Sequence, residues 1–203
     1  MTNVIKAFVV GLTLLIPTLV SASTWNIDPE HSNVGFRVKH LMVSNVNGNF
    51  LKYSGVVEIN DKDITKSKVT VSIDPNSINT NVEKRDEHLR SADFFDVAKY
   101  PLMTFVSKKW SNTGKGALKV TGDLMIHGIT RQVVLNVEPF SKESKDPWGN
   151  FRRGTSATTQ INRKDFGLVW NKSLETGGVM VGEDITIQLD VEMIKLQPND
   201  KQG

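Results

Sequence analysis

The feature that most restricts the fold of this chain is a two-residue hydrophobic period that recurs along most of its length. Ile185, Ile187, Leu189, Val191 and Met193 are apolar, whereas Thr186, Gln188, Asp190 and Glu192 between them are polar. Successive side chains of an extended strand point to opposite faces, so a stretch written this way has one dry face and one wet face. The same alternation runs through Val34, Phe36 and Val38; Val69, Val71 and Ile73; Leu118, Val120, Leu124 and Ile126; and Val133, Leu135 and Val137. Shorter runs lie near Val57 and Ile59, at Met103 and Phe105, and from Thr155 to Ile161, giving about eight strands in all. Asn47-Gly48, Asp74-Pro75, Gly114-Lys115-Gly116, His127-Gly128 and Gly177-Gly178 stand between the runs as turns, and connections this short join antiparallel neighbours.

One helix is expected, from Thr80-Asn81-Val82-Glu83 to about Leu89 or Arg90. Thr80 and Glu83 have capping-box spacing, in which each side chain satisfies a backbone N–H left open at the helix start. Its surface is mostly charged, with Val82 and Leu89 as apolar contacts, which places it across the outside or mouth of the sheet. One-sided strands with so little helical cover hide their apolar faces either as a sandwich or as a barrel. Eight strands close around an interior that is filled by side chains or holds one small ligand. Gly122, Ala157 and Thr159 fall at inward positions where a packed core would prefer bulk. They are consistent with a cavity, and a tight bend at Gly122 is the alternative.

Residues 1–22 read as an export signal, with Lys6 as a weak basic start, Ala7 to Val20 as the apolar stretch, and Val20-Ser21-Ala22 as the cleavage site. The apolar stretch is interrupted by Pro17 and is too short to span a bilayer, which needs about 20 residues. Residues 23–197 are expected to form one domain, followed by a polar tail at 198–203. The absence of cysteine excludes disulfides, thiolate metal sites and a thiol nucleophile, so the core alone must hold the domain. A net charge of +3, with acidic and basic residues interleaved as in Glu83-Lys84-Arg85-Asp86-Glu87, is not a nucleic-acid footprint.

Few motifs carry chemistry. His88, Ser91 and Asp93 lie within one short segment, yet neither a strained nucleophile turn nor an oxyanion hole accompanies them. The segment reads instead as architecture, with Arg90 and Asp93 closing the helix end and Phe94 and Phe95 plugging apolar space. His31, His40, His88 and His127 lack the short spacings of a metal site, so no metal is expected. The scattered tryptophans exclude a base-stacking platform. Asp146-Pro147-Trp148-Gly149 reads as a turn that buries its indole, and Phe166 to Trp170 as a lid or lipid gate. Gly177, Gly178 and Gly182 do not match a dinucleotide fingerprint, so no nucleotide cofactor is implied.

Taken together, these residues resemble the YceI-like polyisoprenoid-binding family. The resemblance rests on Trp25-Asn26-Ile27-Asp28 with His31-Ser32, on Val34-Gly35-Phe36 with Val38-Lys39-His40-Leu41, and on His88-Leu89-Arg90-Ser91-Ala92-Asp93-Phe94-Phe95 with Tyr100-Pro101. Gly122-Asp123-Leu124, His127-Gly128-Ile129-Thr130 and Arg163-Lys164-Asp165-Phe166-Gly167 complete it. It implies an all-β, lipocalin-like, eight-stranded antiparallel barrel with one short helix and an elongated apolar cavity. It also implies a periplasmic binder of a long-chain isoprenoid such as a quinone or polyprenyl phosphate, with no catalytic residue and no cofactor besides that ligand. Strand parity assigns Phe36, Val38, Phe105, Val120, Leu124, Ile126, Leu135, Ile187 and Leu189 to the cavity wall, with Phe94 and Trp170 near an opening. His40 and Arg90 are head-group candidates. Transient membrane contact and a homodimer are compatible with this reading. The rivals are a hydrolase or isomerase using His88, Asp93 or His40, and a packed barrel that binds partners without a ligand.

Overall fold

The computed structural model describes residues 22–175 and 177–197. The expected export signal up to Ser21 and the tail from Pro198 lie outside the described residues. Strands β1 (Ser23–Ile27), β2 (Asn33–His40), β3 (Ser44–Phe50), β4 (Tyr53–Ile59), β5 (Lys68–Ile73) and β6 (Ile78–Asn79) precede helix α1 (Glu83–Arg90). Strands β7 (Met103–Gly114), β8 (Ala117–Ile126), β9 (Ile129–Val137), β10 (Ser144–Lys145), β11 (Phe151–Asn162) and β12 (Val181–Lys195) follow.

Every pairing is antiparallel. The ladder runs β11-β9-β8-β7-β5-β4-β1-β12, and β12 returns to pair with β11, which closes a ring of eight strands. Two of the walls are broken strands. β1 and β2 lie end to end along β12, joining it at Ile27↔Met193 and Phe36↔Ile187, and β3 and β4 run beside them. The barrel is therefore an up-and-down meander in which sequence neighbours are spatial neighbours.

The two ends differ. One, here called the crown, carries the turn at 41–43, α1, the turn at 127–128 and the segment 163–180. The other, the base, carries the connections at 60–67, 114–116 and 138–150. At the base, Trp25, Ile59 and Met193 are almost fully buried, and Trp110 stacks on Phe140 with ring centroids 6.4 Å apart. Outside them, Arg152 straps three segments together, donating to Asp28 at 2.7 Å, Asp146 at 2.7 Å and Glu192 at 2.5 Å.

Three local expectations are corrected. Asn47-Gly48 is not a turn but lies inside β3, where Gly48 makes room for the Phe36 ring. The helix ends where expected, at Arg90, but it begins only at Glu83, with Asn81 left-handed before it; Val82 is its N-cap and no side chain caps it. Thr80 instead donates its N–H to the buried Asp86 carboxylate at 2.9 Å, and Arg85 Nε donates to the Thr80 hydroxyl at 2.7 Å. Trp148 is 80% exposed rather than buried. Asp146 Oδ1 accepts the N–H groups of Trp148 and Asn150, so the turn is held from inside by the carboxylate and not by the indole.

Turn chemistry explains the remaining connections. His127 and Gly128 take left-handed φ of 52° and 71° between β8 and β9, as the tight hairpin requires. Leu41 and Met42 take left-handed φ of 51° and 59° between β2 and β3, at roughly 1–2 kcal/mol each for side chains of this kind.

Gly122 does not open the cavity. A Cβ there would come within 2.4 Å of the Phe105 ring and 2.7 Å of the Val106 carbonyl. The ring lies across the bare backbone next to a register shift between Ser107 and Lys109. Gly122→Ala is expected to destabilise the fold by about 1–3 kcal/mol through overpacking. Urea unfolding measures this, and an unchanged midpoint would contradict the assigned packing.

Candidate functional site

The inward faces of the strands do not meet. They enclose a cavity of about 240 Å³, whereas a single water needs roughly 10–15 Å³ by the same measure. Such a space is far beyond a packing defect. Lining residues extend from Val38, Val181 and Leu168 at the crown to Trp110, Phe140 and Met193 at the base. Val181 to Met193 is roughly 40 Å of strand at about 3.3 Å per residue, or roughly 30 Å along the axis for a tilt of about 40°.

The wall is apolar almost throughout. Tyr53, Thr155, Thr159, Arg163 and the Trp110 indole supply its polar groups. Tyr53 Oη donates to the Ser32 carbonyl at 2.6 Å, and the Thr155 hydroxyl donates to the Glu138 carbonyl at 2.8 Å. Arg163 is buried at the crown, where it donates to the carbonyls of Gly182 (2.9 Å), Val181 (3.3 Å) and Leu168. Burial pushes its guanidinium pKa down, partly opposed by the Glu183 charge. Its donors tie the 163–182 segment shut. Water would find few partners in such a space, whereas an apolar chain needs none.

Among the residues expected at the site, Phe36, Val38, Phe105, Val120, Leu124, Ile126, Leu135, Ile187, Leu189 and Phe94 line the cavity. Trp170, His40 and Arg90 do not. Trp170 lies over the crown, 5.2 Å from Phe94 and 4.8 Å from His88 between ring centroids. His40 is half-buried at the last residue of β2, beyond the cavity and opposite Val181. Arg90 turns toward Glu83 at 3.4 Å, and its buried Nε finds no acceptor among the described residues. Sequence parity missed Trp110, Leu89, Phe95, Phe140, Arg163 and Leu168. The shift between Ser107 and Lys109 reverses the inward parity of β7 before Trp110, and the others lie outside regular strands or at the end of β11.

The crown is closed differently from the rest of the wall. β3 pairs with β6 only at Asn49 and Phe50, so the edge from Ser44 to Gly48 has no second strand partner among the described residues. Side chains on and after α1 cover that gap: Leu89, Phe94 and Phe95 line the cavity, with His88 and Trp170 stacked outside. The crown is thus closed by side-chain contacts where the rest of the wall is closed by a backbone ladder.

Two clusters invite a chemical reading. His88 Nε2 lies 2.8 Å from Asp93, but the Ser91 hydroxyl donates to the His88 carbonyl and not to the imidazole, so no nucleophile is activated. The helix end is thus closed by Ser91, where Arg90 and Asp93 were expected. Asp28, Glu30 and His31 have metal-compatible spacing. The Asp28 oxygens already accept from the Glu30 N–H at 3.0 Å and from Arg152 at 2.7 Å, and His31 Nδ1 lies 2.8 Å away. A cation there would compete with the guanidinium. Burial pushes the Asp28 carboxyl up, but the bonds from Arg152, His31 and the Glu30 N–H outweigh it and hold the carboxyl below its usual range. Asp146 is likewise depressed, with the bonds from Arg152 and Asn150 overcoming the desolvation.

Residues 25–193 match the YceI-like domain family. A UPF0312 protein of Staphylococcus aureus (strain MSSA476) is 42% identical over 171 residues, covering 84% of this chain and 96% of that protein. The Campylobacter jejuni YceI crystal structure shares 35% identity with a TM-score of 0.67, covering 78% of this chain and 90% of that one. A polyisoprenoid binding domain from Saccharophagus degradans superposes with a TM-score of 0.61 at 17% identity, over 87% of this chain and all of that one.

The Arg152 cluster reads as an electrostatic staple, and its pH dependence follows. Carboxyls depressed in the fold contribute stability that is present above their ordinary value of 3.8 and lost as pH falls through the folded value. His31, raised mainly by its bond to Asp28, contributes in the opposite sense, fully below 6.5 and lost as pH rises through its folded value. The melting temperature is therefore expected to fall as pH drops below about 4, and Arg152→Met is expected to flatten that acid limb. An acid limb unchanged in the variant would contradict the assignment.

Proposed function

The chain belongs to the YceI-like domain family, and from that premise we propose that it is a binding protein that carries a long-chain isoprenoid lipid, of the quinone or polyprenyl phosphate class, through the periplasm. The observation that carries the reading is an apolar cavity of about 240 Å³ whose lining includes Val38 and Leu168 at the crown and Trp110 and Met193 at the base. The polyisoprenoid binding domain of the S. degradans neighbour supports the choice of ligand class. Export of the mature chain, cut after Ala22, rests on the signal-like first residues.

The energetics suit a carrier. Burying a methylene contributes about 0.8 kcal/mol, so a prenyl chain gains much by leaving water, although it gains as much by staying in a membrane. At roughly 0.3 kcal/mol per heavy atom, a forty-carbon chain reaches about 12 kcal/mol, a nanomolar ceiling. Affinity arises along the barrel, and selectivity arises at the crown. The absence of an activated nucleophile at His88 supports binding over hydrolysis, and the open interior supports it over a packed interaction module.

Quinones with prenyl tails of graded length, titrated against the protein and followed by tryptophan fluorescence, test the reading. Affinity is expected to climb with tail length and then level off once the cavity is full. Ala157→Phe, which places a ring in mid-barrel, is expected to move the plateau to shorter tails while the protein stays folded. Affinity independent of tail length would overturn the proposal.

A further inference from the structure

The crown carries an apolar feature that the cavity does not use. The turn between β2 and β3 exposes Leu41 by 38%, Met42 by 55% and Val43 by 83%. The Val43 N–H donates to the His40 carbonyl at 3.0 Å across two residues of left-handed φ. This is the pattern of a type I′ turn, for which Asn-Gly is the favoured pair. The other non-glycine residues with positive φ among those described are Asn81, Asp96, Lys115 and His127, all polar. At Leu41-Met42 the chain combines a backbone unfavourable to L side chains with apolar groups in solvent. Neither turn propensity nor core packing accounts for that choice; an apolar environment outside the protein does.

Charge indicates which environment. From Asn33 to Val57 the chain contains Arg37, Lys39 and Lys52 and no acidic residue. Arg37 and Lys39 are exposed on the strand that leads into the turn. The segment behind the turn holds it in place: the Leu41 N–H donates to the Met180 carbonyl at 2.8 Å, and the Met180 N–H donates to the Lys172 carbonyl at 2.9 Å. That segment adds Lys172 and one acid, Glu175. At the start of β12, Glu183 is neutralised by Lys164 at 2.5 Å, which leaves Asp184 and, next to Lys164, the exposed Asp165 as further acids. The hairpin that carries the apolar tip is thus purely basic, with Arg37 and Lys39 exposed on it, while the segments beside it carry both signs. Val169, 63% exposed, is a further apolar side chain on the same end.

We propose that the Leu41–Met42–Val43 turn is a membrane-docking tip that seats the crown on an anionic lipid surface. Its three side chains enter the boundary between head groups and acyl chains, and Arg37, Lys39 and Lys172 meet the anionic head groups. Docking in this pose turns the unladdered gap beside β3, and the side chains that cover it, toward the bilayer. The use of that pose for lipid transfer rests on the isoprenoid-carrier reading, whereas the docking rests on the turn itself.

Flotation of the mature protein with vesicles of phosphatidylcholine, with and without phosphatidylglycerol, tests the tip. Leu41→Asn/Met42→Gly installs the favoured turn pair, so its melting temperature is expected to hold or rise. Wild-type protein is expected to float with the anionic vesicles and less with neutral ones or at high salt. The double variant is expected to lose vesicle partitioning by roughly tenfold or more, while taking up detergent-dispersed quinone like wild type. Trp148→Ser, at the base, is expected to float like wild type.

The proposal is overturned if wild type floats with neither vesicle, if the double variant floats undiminished, or if the loss follows Trp148→Ser instead. A dimer that wild type forms and the double variant loses, without vesicle binding, would reassign the tip to a second copy and overturn it too. If neither protein takes up quinone while flotation still depends on the tip, the carrier reading fails and the docking stands.

Discussion

The return of β12 to pair with both β11 and the broken β1–β2 wall is the constraint on which the rest of the structure depends. Once that ladder closes, every inward side chain faces another inward side chain, and no second layer exists to fill the middle. The barrel circumference is fixed by backbone hydrogen bonds, so its interior volume is fixed as well. Ile185, Ile187, Leu189, Val191 and Met193 supply the apolar wall along β12, yet Ala157 and Thr159 beside them are too small to reach the opposite side. A cavity follows from closure plus side-chain size.

Closure also explains the contrast between the ends. At the base, β1, β4 and β12 continue the ladder, aromatic stacking of Trp110 on Phe140 seals the interior, and Arg152 fastens the outside. At the crown, β3 outruns its partner and side chains do the sealing. Hydrogen-bonded backbone is a cooperative barrier, whereas a few packed rings open at modest cost.

Much of this was legible in the sequence because period two is a direct record of which face is dry. One-sided antiparallel strands, the helix and nine of the cavity-lining site candidates follow from parity and turns, whereas the choice of a barrel over a sandwich is what the family resemblance implies. The misreadings occur where side chains, and not the pattern, decide. Asn47-Gly48 looks like a hairpin turn, but its glycine is needed under the Phe36 ring. Thr80 and Glu83 have capping-box spacing, but Asp86 reaches Thr80 first. Trp148 looks like core material, but the Asp146 carboxylate already holds that turn. Trp110 escaped because a one-residue shift in β7 reverses the parity that identifies the wall. His40 and Arg90, the head-group candidates, both lie at the crown and outside the cavity lining.

The central claim is that the cavity of this barrel is occupied by one long isoprenoid chain. Native mass spectrometry of the protein purified from cells, followed by organic extraction and identification of the released lipid, tests it most directly. The account expects one stoichiometric isoprenoid per barrel. A protein that carries no adduct and also takes up neither added quinone nor polyprenyl phosphate would contradict it.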